Sequence, residues 1–211
     1  MTERPFVADG YHPIPPGKLA TVVTYLEMTR RPDRAPRPAP EGYTLEAVTA
    51  WPTAAYKALY TEIGWEWLWS SRLRMGDARL AARLADPDLR NYCPVKDGRR
   101  LGMLEMDHAE PDNIEITFFG LSPAAIGGGV GGWMMDRAID MAFSRSSTRR
   151  LWLHTCHLDS PQALPFYQRL GFVPFARAVE VFDDVRLTGE LDPAAGPHVP
   201  LIRNARRPDG V

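Results

Sequence analysis

Residues 113–145 read NIEITFFGLSPAAIGGGVGGWMMDRAIDMAFSR, and the order of residue types in this stretch decides the fold. Ile114, Ile116 and Phe118 alternate with Glu115, Thr117 and Phe119, the period-2 pattern of a strand with two unlike faces. Leu121-Ser122-Pro123 closes that strand. Gly127, Gly128, Gly129, Gly131 and Gly132 crowd the turn, and Val130, Met134, Ala138, Met141 and Ala142 then recur at helical spacing up to Phe143. A strand, a glycine turn and a helix in that order form a cradle for an anion. Residues without side chains let backbone N–H groups approach a ligand, and the helix N-terminus adds unpaired donors and about half a positive charge.

The turn is not followed by Gly-Lys-Ser/Thr, so it lacks the lysine and hydroxyl of a P-loop. It lies past the midpoint of the chain, whereas a dinucleotide fingerprint follows the first strand of a parallel sheet.

Around this stretch, 211 residues suit one domain with terminal embellishments, and 45% hydrophobic with 24% charged residues is ordinary globular composition. A net charge of −1 offers no basic field for nucleic acid and no broad attraction to a membrane surface. Met1 to Lys18 lacks the apolar core of a signal peptide, and no run approaches the roughly 20 apolar residues of a span, so the reading is cytoplasmic. Cys93 and Cys156 read as reduced thiols, and no Cys/His spacing suggests a metal site.

In chain order, prolines keep residues 1–18 irregular, and the β-branched run in Leu19 to Met28 predicts a strand. Arg30 to Pro40, rich in proline and arginine, reads as a surface linker. Tyr43 to Val48 is a strand. Thr49 caps a helix with Pro52 in its first turn, an apolar stripe of Ala55, Tyr56, Leu59, Tyr60 and Ile63, and a stop at Gly64. Trp65, Trp67 and Trp69 follow, equally readable as core or as the wall of a substrate pocket. A helix capped by Asp77 runs to Ala85, and strands Asn91 to Lys96 and Arg100 to Met106 form a hairpin about Asp97-Gly98. Arg149 to Thr155 is a strand, Ser160-Pro161 starts a helix ended by Gly171, and Phe172 to Phe182 and His198 to Ile202 are the last strands.

Two motifs carry a family resemblance. Ile126-Gly127-Gly128-Gly129-Val130-Gly131 is similar to the pyrophosphate loop of the GNAT superfamily of acyl-CoA-dependent N-acyltransferases, written Arg or Gln, two variable residues, Gly, variable, Gly or Ala. Phe166-Tyr167-Gln168-Arg169-Leu170-Gly171-Phe172 resembles that superfamily's Tyr, three residues, Gly-Phe. The loop departs from the pattern at Ile126, where the leading Arg or Gln is absent; backbone donors and the helix dipole remain to hold a pyrophosphate.

The resemblance implies an α/β (α+β) fold with a mixed, mostly antiparallel central sheet flanked by helices and splayed between its fourth and fifth core strands, Ile114 to Gly120 and Leu151 to Thr155. The chain divides into an N-terminal extension (1–40), a core domain (41–183) and a C-terminal strand and tail (184–211). Acetyl-CoA is the implied cosubstrate. The main chain of Phe119, Gly120 and Leu121 would pair with the pantetheine arm, and the loop from Ile126 through Gly132 would take the pyrophosphate.

Amine acylation needs a neutral amine, a place for its proton, and an acid for the leaving thiolate. By resemblance Tyr167 is that acid, a phenol with a pKa of about 10 that stays protonated at neutral pH. Glu115 stands in a register resembling that of a glutamate base; His154 and His157 flank the opposite strand and are the other bases, with a water relay as the alternative to any single one. Direct transfer through a tetrahedral intermediate, rather than through Cys156, is the superfamily's usual route. The expected reaction is acetylation of a primary amine of a small molecule, with Trp65, Trp67 and Trp69 and the turn at 156–160 shaping the acceptor pocket. The rivals are acetylation of a peptide or protein amine and a non-catalytic acyl-CoA sensor. The strand at Leu19 to Met28 falls outside the matched region, available to extend the sheet or to pair with a second subunit in a homodimer.

Overall fold

The stretch read as the first strand forms β1 (Lys18–Met28) in the computed structural model, which describes residues 7–203. Residues 1–6 of the expected extension and 204–211 of the expected tail lie outside the described residues. The remaining strands are β2 (Thr44–Val48), β3 (Leu89–Lys96), β4 (Arg99–Arg100), β5 (Gly102–Asp107), β6 (Asn113–Leu121), β7 (Arg150–Cys156) and β8 (Val173–Asp183). The helices are α1 (Thr53–Gly64), α2 (Asp77–Leu84), α3 (Val130–Ala142), α4 (Ala163–Arg169) and the short α5 (Val185–Thr188).

All eight strands join one sheet in the order β2-β3-β5-β6-β7-β1-β8, with β4 folded back on β3. Every pairing is antiparallel except β6 with β7, which is parallel and runs only from Asn113/Arg150 to Ile116/Leu153. Beyond Ile116 and Leu153 the two strands part. The sheet is therefore the expected mixed, mostly antiparallel one, splayed at the expected place. β1 lies inside it, antiparallel to β7 over Val23–Met28 and to β8 over Lys18–Glu27, so it extends the sheet from within.

One face of the sheet is packed by α3 and α4. Leu104 and Met106 of β5, Ile114 and Ile116 of β6, Leu151 and Leu153 of β7 and Leu26 of β1 meet Met134, Met135, Ala138 and Leu170 there. The other face is packed by α1 and α2, whose Tyr56, Leu59, Tyr60, Ile63, Leu80 and Leu84 cover Val48, Cys93 and Met103. The alternation along β6 breaks at Thr117: Met106 pairs with Ile116 but Glu105 pairs with Phe118, so Thr117 is the extra residue of a β-bulge. Phe118, expected beside Ile114 and Ile116, is thereby turned to the α1 face, and Phe119 takes its place under α4.

Several boundaries differ from the sequence reading. Pro52, not Thr49, stands at the cap position of α1, and Ala55 points to solvent. α1 ends at Gly64 as expected, but the chain does not turn there: it continues as a 3₁₀ turn over Trp65–Trp67, and Leu68, in the left-handed region at φ 57°, makes the reversal. Gly76 rather than Asp77 precedes α2. α4 begins at Ala163, after a turn in which Ser160 Oγ accepts from the Gln162 amide at 3.3 Å. Residues 198–202 form no strand; they belong to a segment without regular structure that follows α5. That segment is fastened by Arg186, which donates to the carbonyls of Ala195 (3.3 Å) and Val199 (2.7 Å) while paired with Asp184. No helix among the described residues is long and apolar enough to cross a membrane.

Candidate active site

Where β6 and β7 part, a cavity of about 640 Å³ opens between Thr117–Leu121 on one side and His154 and Cys156 on the other. β6 remains paired with β5 along this length, so only its edge toward β7 is free for a ligand's main-chain-like amides. Gly120 sets the cavity's depth: a Cβ there would fall 2.4 Å from Ile63 Cγ2 and 2.9 Å from Trp69 Cη2, so only glycine lets α1 and the tryptophan loop close on β6.

At one end lies the glycine turn. Gly129 takes φ 77° at the cap position of α3, a conformation open to glycine at no steric cost. The helix has no side-chain cap and no acidic residue in its first turn, and its first intrahelical bond runs from Trp133 N to Gly129 O. The amides before Trp133 are thus open donors at the positive end of the helix. Ile126 and Gly131 line the cavity. The donors, the glycine approach and the free edge of β6 fit the phosphates and amide arm of an acyl-CoA.

The middle of the cavity holds Tyr167, whose ring is fixed by Phe119 (6.2 Å between centroids), Phe166 (5.4 Å) and Phe172 (6.2 Å). Burial, and then the nearby Asp159 carboxylate, push its hydroxyl well above the usual phenol range. Across from it, His154 Nδ1 lies 3.7 Å from Glu115 Oε1, too long for a close hydrogen bond and an ion pair when the imidazole is protonated. Glu115, opposed by partial burial and supported by Asp159 and Glu180, raises the imidazole above its ordinary value.

The far end is closed by the tryptophan loop. Trp69 Nε1 donates to Asp159 Oδ1 at 3.2 Å, and Asp159 Oδ2 accepts from Thr155 Oγ1 (2.7 Å) and from the Cys156 amide (2.9 Å). Trp67 packs on His198 at 5.5 Å, and His198 Nε2 donates to the Leu158 carbonyl at 3.1 Å. Behind this wall Glu105 is fully buried and accepts from Tyr56 Oη (2.9 Å), Thr117 Oγ1 (2.7 Å) and Arg72 Nη2 (2.5 Å). The Arg72 guanidinium lies 4.9 Å above the Phe118 ring, and Arg72 is part of the cavity wall.

The model of the acetyltransferase (GNAT) family matches residues 48–172, more than half of the chain. The chain belongs to the GNAT acetyltransferases. No curated protein matches it in sequence. Among solved structures, a GCN5-related N-acetyltransferase from Sphaerobacter thermophilus is similar at 19% identity and TM-score 0.56, over 82% of this chain and 53% of that one. One from Kribbella flavida is similar at 19% identity and TM-score 0.55, over 82% and 63%. A tandem GNAT protein from the clavulanic acid biosynthesis pathway is similar at 16% identity and TM-score 0.56, over 78% and 53%. The chain thus spans between half and two thirds of the length of these relatives, and the likeness at this identity is one of fold.

Within this GNAT fold the cavity collects Tyr167, Glu115, His154, Phe119, Gly120, Leu121, Ile126, Gly131, Trp67 and Trp69 from the residues singled out in the sequence. His157 stands outside it, exposed, its amide donating to Val22 O (3.2 Å) and Thr21 Oγ1 (3.1 Å). Trp65 is also outside, 37% exposed, with its carbonyl accepting from Gly196 N at 3.0 Å. Gly127, Gly128 and Gly129 form the exposed turn before α3, Val130 is buried in the core, and Gly132 lies under Arg37. The sequence reading named the 156–160 turn without singling out Asp159, and missed Arg72, Glu105 and Glu180. Asp159 carried a local signal, an Asp just after a strand and ahead of Ser160-Pro161, where a carboxylate accepts from nearby amides. Glu105 and Arg72 carried none, since their partners are distant in the chain.

Proposed function

We propose that this GNAT chain transfers an acetyl group from acetyl-CoA to a primary amine of a small molecule in the cytoplasm, by direct attack. One observation carries the reading: a single cavity joins the open amides of α3, the Tyr167 hydroxyl, the Glu115–His154 pair and a closed aromatic wall. Acetyl-CoA supplies the activated acetyl group as a thioester. The α3 amides and the free edge of β6 bind it and orient the thioester toward Tyr167.

An amine reaches the site as an ammonium, attracted by the carboxylates of Glu115, Asp159 and Glu180 in the wall. Its proton passes to neutral His154, directly or through water, and Glu115 stabilises the imidazolium that results. The amine nitrogen forms the bond to the acetyl carbon, the C–S bond breaks, and the sulfur takes a proton donated by Tyr167, whose hydroxyl is still protonated at neutral pH; the second proton shed by the attacking nitrogen passes through water to the Tyr167 phenolate and restores it. The wall of Trp67, Trp69, Asp159 and His198 leaves room for a compact acceptor and supports a small molecule over an extended peptide.

The test is release of free CoA thiol from acetyl-CoA with a panel of small primary amines, for wild type and Tyr167→Phe. The expected result is amine-dependent release that falls about a hundredfold or more in Tyr167→Phe with CoA affinity kept. Acetyl-CoA binding without turnover on any amine overturns the enzyme in favour of a sensor. Turnover on peptides alone overturns the small-molecule acceptor.

A further inference from the structure

The residues between β1 and β2 lie along α3 as a strap. Arg31 Nε donates to Asp140 Oδ1 at 2.8 Å, Arg34 Nη2 to Asp136 Oδ1 at 2.5 Å, and Arg37 Nη1 to both Asp136 oxygens at 2.9 Å. The Asp136 side chain is only 2% exposed, so the anchor is fixed. Arg37 extends furthest toward the helix start. Its Nη1 also reaches the Gly132 carbonyl at 3.3 Å, and a Cβ on Gly132 would lie 3.2–3.3 Å from Arg37 Nε, Cδ and Cζ.

The guanidinium therefore rests on the first turn of α3, beside the glycine loop. Its side chain is 44% exposed, and among the described residues Nε and Nη2 donate to no protein acceptor. A cation beside the positive end of a helix is unfavourable by itself. Here the buried Asp136 holds it in place, and the absence of a side chain at Gly132 leaves it room. Ile126, where the loop pattern of this family has Arg or Gln, is 67% exposed and uncharged.

We propose that Arg37 supplies, from the strap, the cation for the phosphates of CoA that the glycine loop lacks at Ile126. This rests on reading the cavity as an acyl-CoA site. A guanidinium fork suits phosphate oxygens, and one already locked by a carboxylate loses little freedom on binding. Arg34 shares the same carboxylate without resting on Gly132, which makes it the internal control for a purely structural role.

The experiment is calorimetric titration of CoA into wild type, Arg37→Ala, Arg37→Gln and Arg34→Ala, with melting temperatures measured alongside. Both Arg37 variants are expected to bind CoA about tenfold more weakly or worse, the loss of a charge-assisted hydrogen bond. Arg34→Ala lowers the melting temperature but keeps the affinity within about twofold. Adding Ile126→Arg to Arg37→Ala restores binding. Wild-type affinity in both Arg37 variants, or an equal loss in Arg34→Ala, overturns the proposal while the acyl-CoA reading stands. Absence of CoA binding by wild type overturns both.

Discussion

The Trp69 indole N–H donates to the Asp159 carboxylate at 3.2 Å, tying the loop after α1 to the turn after β7 across the far end of the cavity. Trp69→Phe keeps most of the ring and removes the donor. The expected outcome is a several-fold rise in the acceptor KM with the acetyl-CoA KM unchanged. Asp159→Ala removes in addition the acceptor for Thr155 and the Cys156 amide, and should lower stability by about 1–3 kcal/mol, read from chemical denaturation.

His154 is raised above its ordinary value mainly by Glu115, so its protonated form is favoured in the folded protein. The stability this contributes is fully present below the unfolded pKa of about 6.5 and is lost as pH rises through the higher folded value. As the proposed base His154 must be neutral to act, so the rate should rise as pH climbs through that same folded value. Glu115→Gln should move both the NMR titration of His154 and the rise in kcat/KM to lower pH. A titration that stays in place would show that Glu115 does not govern the imidazole.

Glu105 neutralises Arg72 in a site where Glu105 is fully buried and the Arg72 side chain is 14% exposed. Glu105→Ala leaves that guanidinium without its carboxylate, and about 3–5 kcal/mol of stability should be lost in urea or guanidinium titration. Because Thr117 and Phe118 pack on the same pair, the variant should also disturb the near-ultraviolet circular dichroism of the aromatic wall.

Burial pushes the Asp136 carboxyl up, but hydrogen bonds and charge from Arg34 and Arg37 outweigh it and hold the group below the usual carboxylate range. Its contribution is present above an unfolded pKa of about 3.9 and disappears as pH falls through the lower folded value. Asp136→Asn should therefore destabilise the protein at pH 6. The gap to wild type should close as both are acidified below about pH 4, measured as denaturation midpoints.

The fold was legible because its deciding stretch is local. Strand, glycine turn and helix follow one another without interruption, and the periods of 2 and 3.6 residues separate them. The bulge at Thr117 was not legible, since an extra residue in a pairing is a property of two strands and looks in one strand like unbroken alternation. The same limit hid the strap: four arginines between prolines look like a solvated linker until Asp136 and Asp140 are seen on the facing side of α3. At the site, Tyr167 was named through its motif, and Glu115 and His154 were named separately, one from its register and one from its place near the end of the opposite strand; their pairing is a property of β6 and β7 together. Asp159 reaches Trp69 and Glu105 reaches Tyr56 across long stretches of chain, although Asp159 also holds its neighbours Thr155 and Cys156, and His157 and Trp65 stand outside the cavity that their neighbours line.

The insertion of β1 between β7 and β8 also fixes an order of assembly. Lys18 pairs with Asp183 and Met28 with Leu151, so β1 must wait for β7 and β8, which are made long after it. Pairings of such sequence separation carry a high loop-closure cost and form late. The strands β3, β5 and β6 can zip from local hairpins, while β7, β1 and β8, which supply His154, Cys156, Glu180 and the second wall of the cavity, come together only once β8 has been made. Pairing of β8 is then what completes the cleft, and a product truncated before β8 leaves β1 unpaired along that edge and the cavity open on one side.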